Sequence, residues 1–226
     1  MFDGRFRAPI ERAVKPVGDR LRRTRLTPDH LTAIGLLFAV AAAVVIAQGH
    51  LLIGLVLVAL AGLPDLLDGA LAKASNASSP RGAFFDSVAD RVTDALLFGG
   101  VAWYLTDEGA LAMLPVAVLV VSQLISYQRA KAESLGLDAK GGLMERAERV
   151  IALCVGLLLE VLLVPVLWLM LVLTSITAVQ RFVKVWKQAA VAPVTAARIE
   201  ARRLRRTTRR TARSSQRSAI RRRRAA

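Results

Sequence analysis

Residues 31 to 49 run nineteen positions without a charged side chain, and uncharged apolar stretches recur at 51 to 63, 95 to 105, 110 to 125 and 150 to 179, the last broken only by Glu160. Runs of this kind need lipid, or other lipid-bound helices, as their surroundings. Inside lipid every backbone N–H and C=O must be paired within the protein, which leaves helices and closed barrels as the spanning structures. The runs lack the period-two alternation of barrel strands, so the reading is an all-α integral membrane protein. With 54% of residues hydrophobic and concentrated in these runs, an ordinary soluble domain is excluded.

A single helix over 150 to 179 would be about 45 Å long, against a core of about 30 Å. A turn near Glu160 to Pro165 resolves the excess. The expectation is six transmembrane helices over about 30–48, 51–73, 83–105, 110–133, 145–160 and 164–187. Ahead of them, residues 1–26 carry Phe2, Phe6, Ile10 and Val14 at roughly helical spacing among arginines, which reads as an N-terminal amphipathic interfacial helix. The domain reading is therefore 1–26 juxtamembrane, 27–187 membrane domain and 188–226 tail.

Charge sets the orientation. Basic residues fill 1–27, Lys73 to Arg81, Arg129 to Arg149 and the chain from Arg181 onward, while the connections at His50, Asp107-Glu108 and Glu160 to Pro165 hold no Lys or Arg. The positive-inside rule puts the basic set, with both termini, on the cytoplasmic side of the cell membrane. From Arg198 onward there are thirteen arginines and one acid, so this tail holds twelve of the fifteen net positive charges. Such a composition does not bury a core; beside a membrane it fits anionic lipid headgroups, and no nucleic-acid partner is expected. The lone Cys154 lies in an apolar run and offers no internal disulfide.

Five acids break the pattern at one face. Asp65 and Asp68 are i,i+3 near the end of the second span, and Asp86, Asp90 and Asp94 are i,i+4 at the start of the third, so each set shares a helix side and the hairpin brings the sides together. Carboxylates so crowded would hold protons unless cations neutralise them, and hard divalent ions with oxygen ligands are the natural remedy. Plain helix-end charges at an interface are the alternative.

The run Asp65-x-x-Asp68-Gly69-x-x-Ala72-Lys73, eight residues, Gly82, three residues, Asp86, three residues, Asp90 resembles the signature of the CDP-alcohol phosphatidyltransferases with every spacing kept. Lys73 stands where that family usually has arginine, which keeps the charge and loses the planar fork. The resemblance implies a six-helix, usually dimeric fold that binds CDP-diacylglycerol at the cytoplasmic face. It implies two Mg²⁺ or Mn²⁺ ions on Asp65, Asp68, Asp86 and Asp90, with Asp90 as general base. Gly69, Lys73 and Gly82 would line the site of CDP-diacylglycerol. Asp94 lies outside the signature and reads equally as support for it or as a polar anchor. Thr27-Pro28-Asp29-His30 reads as a helix start.

Arg129, Lys131, Arg146, Arg149 and Arg181 end or open spans on the same face, and arginines gathered there suit a dianionic phosphate. The stretches around them, including the paired Glu-Arg of Glu145-Arg146 and Glu148-Arg149, are similar to the phosphatidylinositol phosphate synthases of actinobacteria. That similarity implies inositol phosphate as acceptor, with Lys131, Arg149 and Arg181 on its phosphate and Arg129 and Arg146 in support. Glycerol 3-phosphate, the acceptor of a phosphatidylglycerophosphate synthase, also carries a phosphate and stays open, as does plain positive-inside topology for any one cation. Two other classes stay open: a divalent-cation transporter using the same acids, and a membrane anchor presenting the tail.

Overall fold

The computed structural model describes residues 28–62 and 79–190. These are helical apart from short turns and one longer loop at 135–145, with no strand among them. The helices are α1 Pro28–Ala47, α2 Leu51–Gly62, α3 Pro80–Tyr104, α4 Met113–Ser134, α5 Arg146–Leu158 and α6 over 163–190. Among the described residues, three segments are long and apolar enough to cross a bilayer unaided: Asp29–Ala47, Thr106–Ser134 and Glu160–Ala190. Helix α3 spans 25 residues, about 37 Å at the helical rise, and falls outside that group because it carries Arg81, Asp86, Asp90, Arg91 and Asp94.

The breaks fall where the polar connections stand. Gly49 turns the chain between α1 and α2, and a 3-10 segment Thr106–Ala112 precedes α4. The short 3-10 turn Glu160–Leu162 divides α5 from α6, so the run 150–179 does not form one over-long helix. Differences from the expected bounds are small: α6 begins one residue earlier and runs on to 190, and α5 closes at Leu158. Residues 1–26, the far part of the second span and 191–226 lie outside the described residues.

The core is a seam of Leu97, Phe98 and Val101 from α3 against Val118 from α4, Leu153 and Leu157 from α5, and Leu167 and Met170 from α6, all buried. Helix α1 meets α3 on small residues. At Gly100 an added Cβ would lie 2.6 Å from the Ala43 carbonyl oxygen and 2.9 Å from its Cα, the close backbone approach that small residues permit between membrane helices. Leu37, Trp103, Val161, Trp168 and Trp186 point outward, as lipid contact requires. On the side away from the charged ends, the Tyr104 hydroxyl donates to Glu160 Oε1 at 2.6 Å, tying the end of α3 to the turn before α6.

Candidate active site

Helix α3 starts with Ser79 as N-cap, its Oγ accepting from the Gly82 N–H at 3.0 Å, and Pro80 in the first turn. Gly82 sits in this first turn, where an added Cβ would lie 3.4 Å from Asp29 Oδ1 at the start of α1. One turn further along α3, Asp86 and Asp90 are partly buried, and a turn beyond them Asp94 is buried at 7% exposure. The helical repeat alone puts the three acids on one side.

Helix α5 brings cations to that side. Glu145 and Glu148 form a reciprocal capping box at its start, which fixes the direction in which Arg146 and Arg149 leave the helix. Arg146 Nη1 lies 2.8 Å from Asp90 Oδ1 and its Nε 3.6 Å from Asp94 Oδ1. Arg149 Nη2 donates to Asp94 Oδ2 at 3.0 Å. Arg91 Nη1, held by the Ser87 carbonyl at 2.7 Å, approaches Asp90 Oδ2 at 3.5 Å. Thr32 of α1, Ala61 of α2, and Asp90, Thr93 and Arg146 line one small cleft, so four helices border Asp90.

The other candidate cations lie at the same end with different partners. Arg129 pairs with Glu133 one turn on, at 3.0 Å on the surface, and Lys131 is exposed in the last turn of α4. Arg181 is buried, and it donates through Nη1 to the Ile125 carbonyl and through Nη2 to the Gly141 carbonyl and Glu145 Oε1, at 3.1, 3.1 and 3.2 Å. Arg129 and Arg149 lie within electrostatic range of it. Asp65, Asp68, Gly69 and Lys73 lie outside the described residues.

Sequence reasoning missed what holds this end in shape. The α4–α5 loop, 135–145, is fastened to one stripe of α6. Thr177 Oγ1, buried in that stripe, accepts from the Leu143 and Met144 N–H groups at 3.2 and 3.0 Å. Lys184 Nζ donates to Asp138 Oδ2 and to the Lys140 carbonyl, and Gln188 exchanges hydrogen bonds with the Asp138 backbone. The Lys184 hydrogen bond, then that of the Lys140 N–H, holds the Asp138 carboxyl below its ordinary value of 3.8. Gly142 passes so close that an added Cβ would sit 2.3 Å from Thr177 Cγ2. The only trace of this in the sequence is Gly141-Gly142 before the Glu-Arg pairs, opposite threonines inside an apolar run.

Oxygen donors on Asp86 and Asp90, one turn apart on α3 with Asp90 at the border of the cleft, suit a hard divalent cation. That arginines crowd Asp90 from two helices shows how strongly the spot calls for positive charge. No cluster of three metal-binding side chains occurs among the described residues, since the remaining two acids of the set lie outside them.

Comparison with known proteins gives the family and the overall fold. A family model described as CDP-alcohol phosphatidyltransferase matches residues 25–197. The chain is 36% identical over 192 residues to phosphatidylinositol phosphate synthase of Mycobacterium marinum, covering 80% of this chain and 82% of the relative. It is 37% identical over 191 residues to archaetidylinositol phosphate synthase of Methanothermobacter thermautotrophicus, covering 81% and 93%. The crystal structure of Mycobacterium tuberculosis phosphatidylinositol phosphate synthase with CDP-DAG bound superposes with a TM-score of 0.72 at 35% identity, over 77% of this chain and 94% of that one. The same enzyme in complex with manganese and citrate gives 0.72 at 34% identity, over 76% and 88%.

Proposed function

The chain belongs to the CDP-alcohol phosphatidyltransferases, and from that premise we propose that it transfers the phosphatidyl group of CDP-diacylglycerol to inositol phosphate, giving phosphatidylinositol phosphate and CMP. One observation carries the choice of acceptor: Arg146 and Arg149 stand together against Asp90 and Asp94, which puts a guanidinium pair for a phosphate beside the carboxylate assigned as base. An uncharged alcohol acceptor would bring those cations no anion beyond the two carboxylates they already face. The relatives support the reading, since names from a bacterium and an archaeon differ in the lipid and share inositol phosphate.

In this reading Asp90 takes the proton from the acceptor hydroxyl as its oxygen attacks the donor's phosphorus, and CMP leaves. Asp65, Asp68, Asp86 and Asp90 would hold two Mg²⁺ or Mn²⁺ ions, whose chemistry is to neutralise the diphosphate and polarise the phosphorus under attack. Gly69 and Gly82 would let the nucleotide approach the backbone, with Lys73 supplying charge to its phosphates. Lys131, Arg149 and Arg181 would set the field for the acceptor phosphate, with Arg129 and Arg146 in support. Arg181 acts largely through the Ile125 carbonyl of α4 and the Gly141 carbonyl of the loop, both of which it holds.

The same proposal includes six spans, an N-terminal interfacial helix at 1–26, a membrane domain over 27–187 and a basic tail at 188–226 attracted to anionic lipid. The site and both termini face the cytoplasm, in a homodimer in the cell membrane. The helices at 28–47, 51–62, 80–104, 113–134, 146–158 and 163–190 support the span count. The test is an acceptor screen with purified protein, Mg²⁺ or Mn²⁺ and CDP-diacylglycerol, following CMP release with inositol phosphate, glycerol 3-phosphate, inositol and serine. Inositol phosphate should win. Turnover of glycerol 3-phosphate alone would make the protein a phosphatidylglycerophosphate synthase and refute the named acceptor.

A further inference from the structure

Asp94 lies one turn past the last acid of the signature, and it is the most buried of the three carboxylates on its side of α3. A carboxylate so enclosed needs counter-charge, and both arginines that α5 turns toward α3 supply it. Arg149 reaches Oδ2 at 3.0 Å, and Arg146 reaches Oδ1 at 3.6 Å while holding Asp90 by its other end at 2.8 Å. Arg149 is itself only 3% exposed, and its Nε is buried with no hydrogen-bond partner among the described residues. An unpaired buried donor on a guanidinium is costly, so its retention points to an oxygen-rich anion that arrives later.

We propose that Asp94 is a positioning residue for the acceptor: its carboxylate holds Arg149 and steadies Arg146 beside it, so that the Arg149 guanidinium is aimed at the acceptor's phosphate. Two guanidinium groups side by side repel, and the carboxylate between them offsets that repulsion without touching the ligand. A buried ion pair is a weak source of stability compared with apolar packing of the same volume, so a purely architectural role leaves the arrangement unexplained. The inference rests on the reading of a phosphate-bearing acceptor given above, and it assigns Asp94 to acceptor binding rather than to the donor or the metal.

The experiment is steady-state kinetics in both substrates for wild type, Asp94→Asn and Asp94→Glu, with thermal unfolding in detergent measured alongside. Asp94→Asn keeps the volume and loses the charge. It should raise KM for inositol phosphate by about tenfold or more, the loss expected when charge-assisted hydrogen bonds are aimed poorly. Its kcat should stay within about threefold of wild type, with KM for CDP-diacylglycerol unchanged. Asp94→Glu should recover most of the affinity. Equal changes in both KM values, a fall in kcat alone, or loss of folded protein in both variants would overturn the proposal and leave Asp94 a structural ion pair. If wild type uses only glycerol 3-phosphate, the named acceptor fails, and the same comparison on that substrate still decides the role of Asp94.

Discussion

Replacing Thr177 by valine keeps the shape of the side chain and removes its oxygen. That oxygen accepts from the Leu143 and Met144 N–H groups at 3.2 and 3.0 Å and donates to the Leu173 carbonyl at 2.8 Å. Leu173 O keeps its helical partner. Leu143 is half-exposed, and its N–H can turn to water, whereas Met144 is 5% exposed and its N–H is stranded. One buried orphaned donor costs about 1–3 kcal/mol, and for a chain of this length 2 kcal/mol corresponds to a Tm lower by about 4–8 °C. Met144 directly precedes the capping box that sets Arg146 and Arg149, so the KM for the phosphate acceptor should rise as well. The assay is thermal unfolding of purified Thr177→Val and Thr177→Ser in one detergent, with acceptor kinetics below the transition. Serine keeps the oxygen and should retain most of the stability. If serine loses as much as valine, or valine loses nothing, the hydroxyl is not what holds the loop.

Three further outcomes are expected. Asp90→Asn should lower kcat by about 10²–10⁴, the usual worth of a general base, in the CMP-release assay; full activity would remove Asp90 from the chemistry. Gly100→Ala puts a methyl against the Ala43 backbone at 2.6 Å and should cost about 1–3 kcal/mol or more by overpacking, read as a drop in Tm; an unchanged Tm would mean that α1 and α3 do not approach as described. The depressed Asp138 carboxyl stabilises the strap at every pH above its ordinary value of 3.8, and that contribution is lost as pH falls below it through the folded value. Lys184→Ala should therefore weaken the acid dependence of amide exchange at 137–141, and an unaltered profile would exclude the Lys184 hydrogen bond as its cause.

Helical class and most breaks were legible because lipid leaves so few ways to satisfy a backbone: uncharged runs end where His50, Asp107 and Glu160 stand, and there the helices end. The turn at Glu160–Leu162 followed from the excess length of the run and from the basic residues at both its ends, Arg149 and Arg181. The i,i+4 acids of α3 could be placed on one side by counting, but their partners could not. Nothing local ties Asp94 to Arg149, 55 residues away, and the sequence left Asp94 between two readings. Thr177 looked like any small residue of a span, because a hydroxyl inside an apolar run says nothing about which distant N–H it will meet. Arg181 was legible as a cation at the right end of the molecule, but not as a residue whose Nη atoms already hold Ile125 and Gly141.

Helix α6 is gripped at both extremities, by Tyr104 on the Glu160 turn before it and by the loop along residues 177, 181, 184 and 188. Those four positions return to nearly the same azimuth, so they engage the loop together or not at all. One residue inserted between 163 and 177 would swing the whole stripe by about 100° and release every fastening at once, whereas the same insertion after 188 would leave them seated. The last span therefore works as a key whose cut is its phase, and its tolerance for change in length should be found only past Gln188.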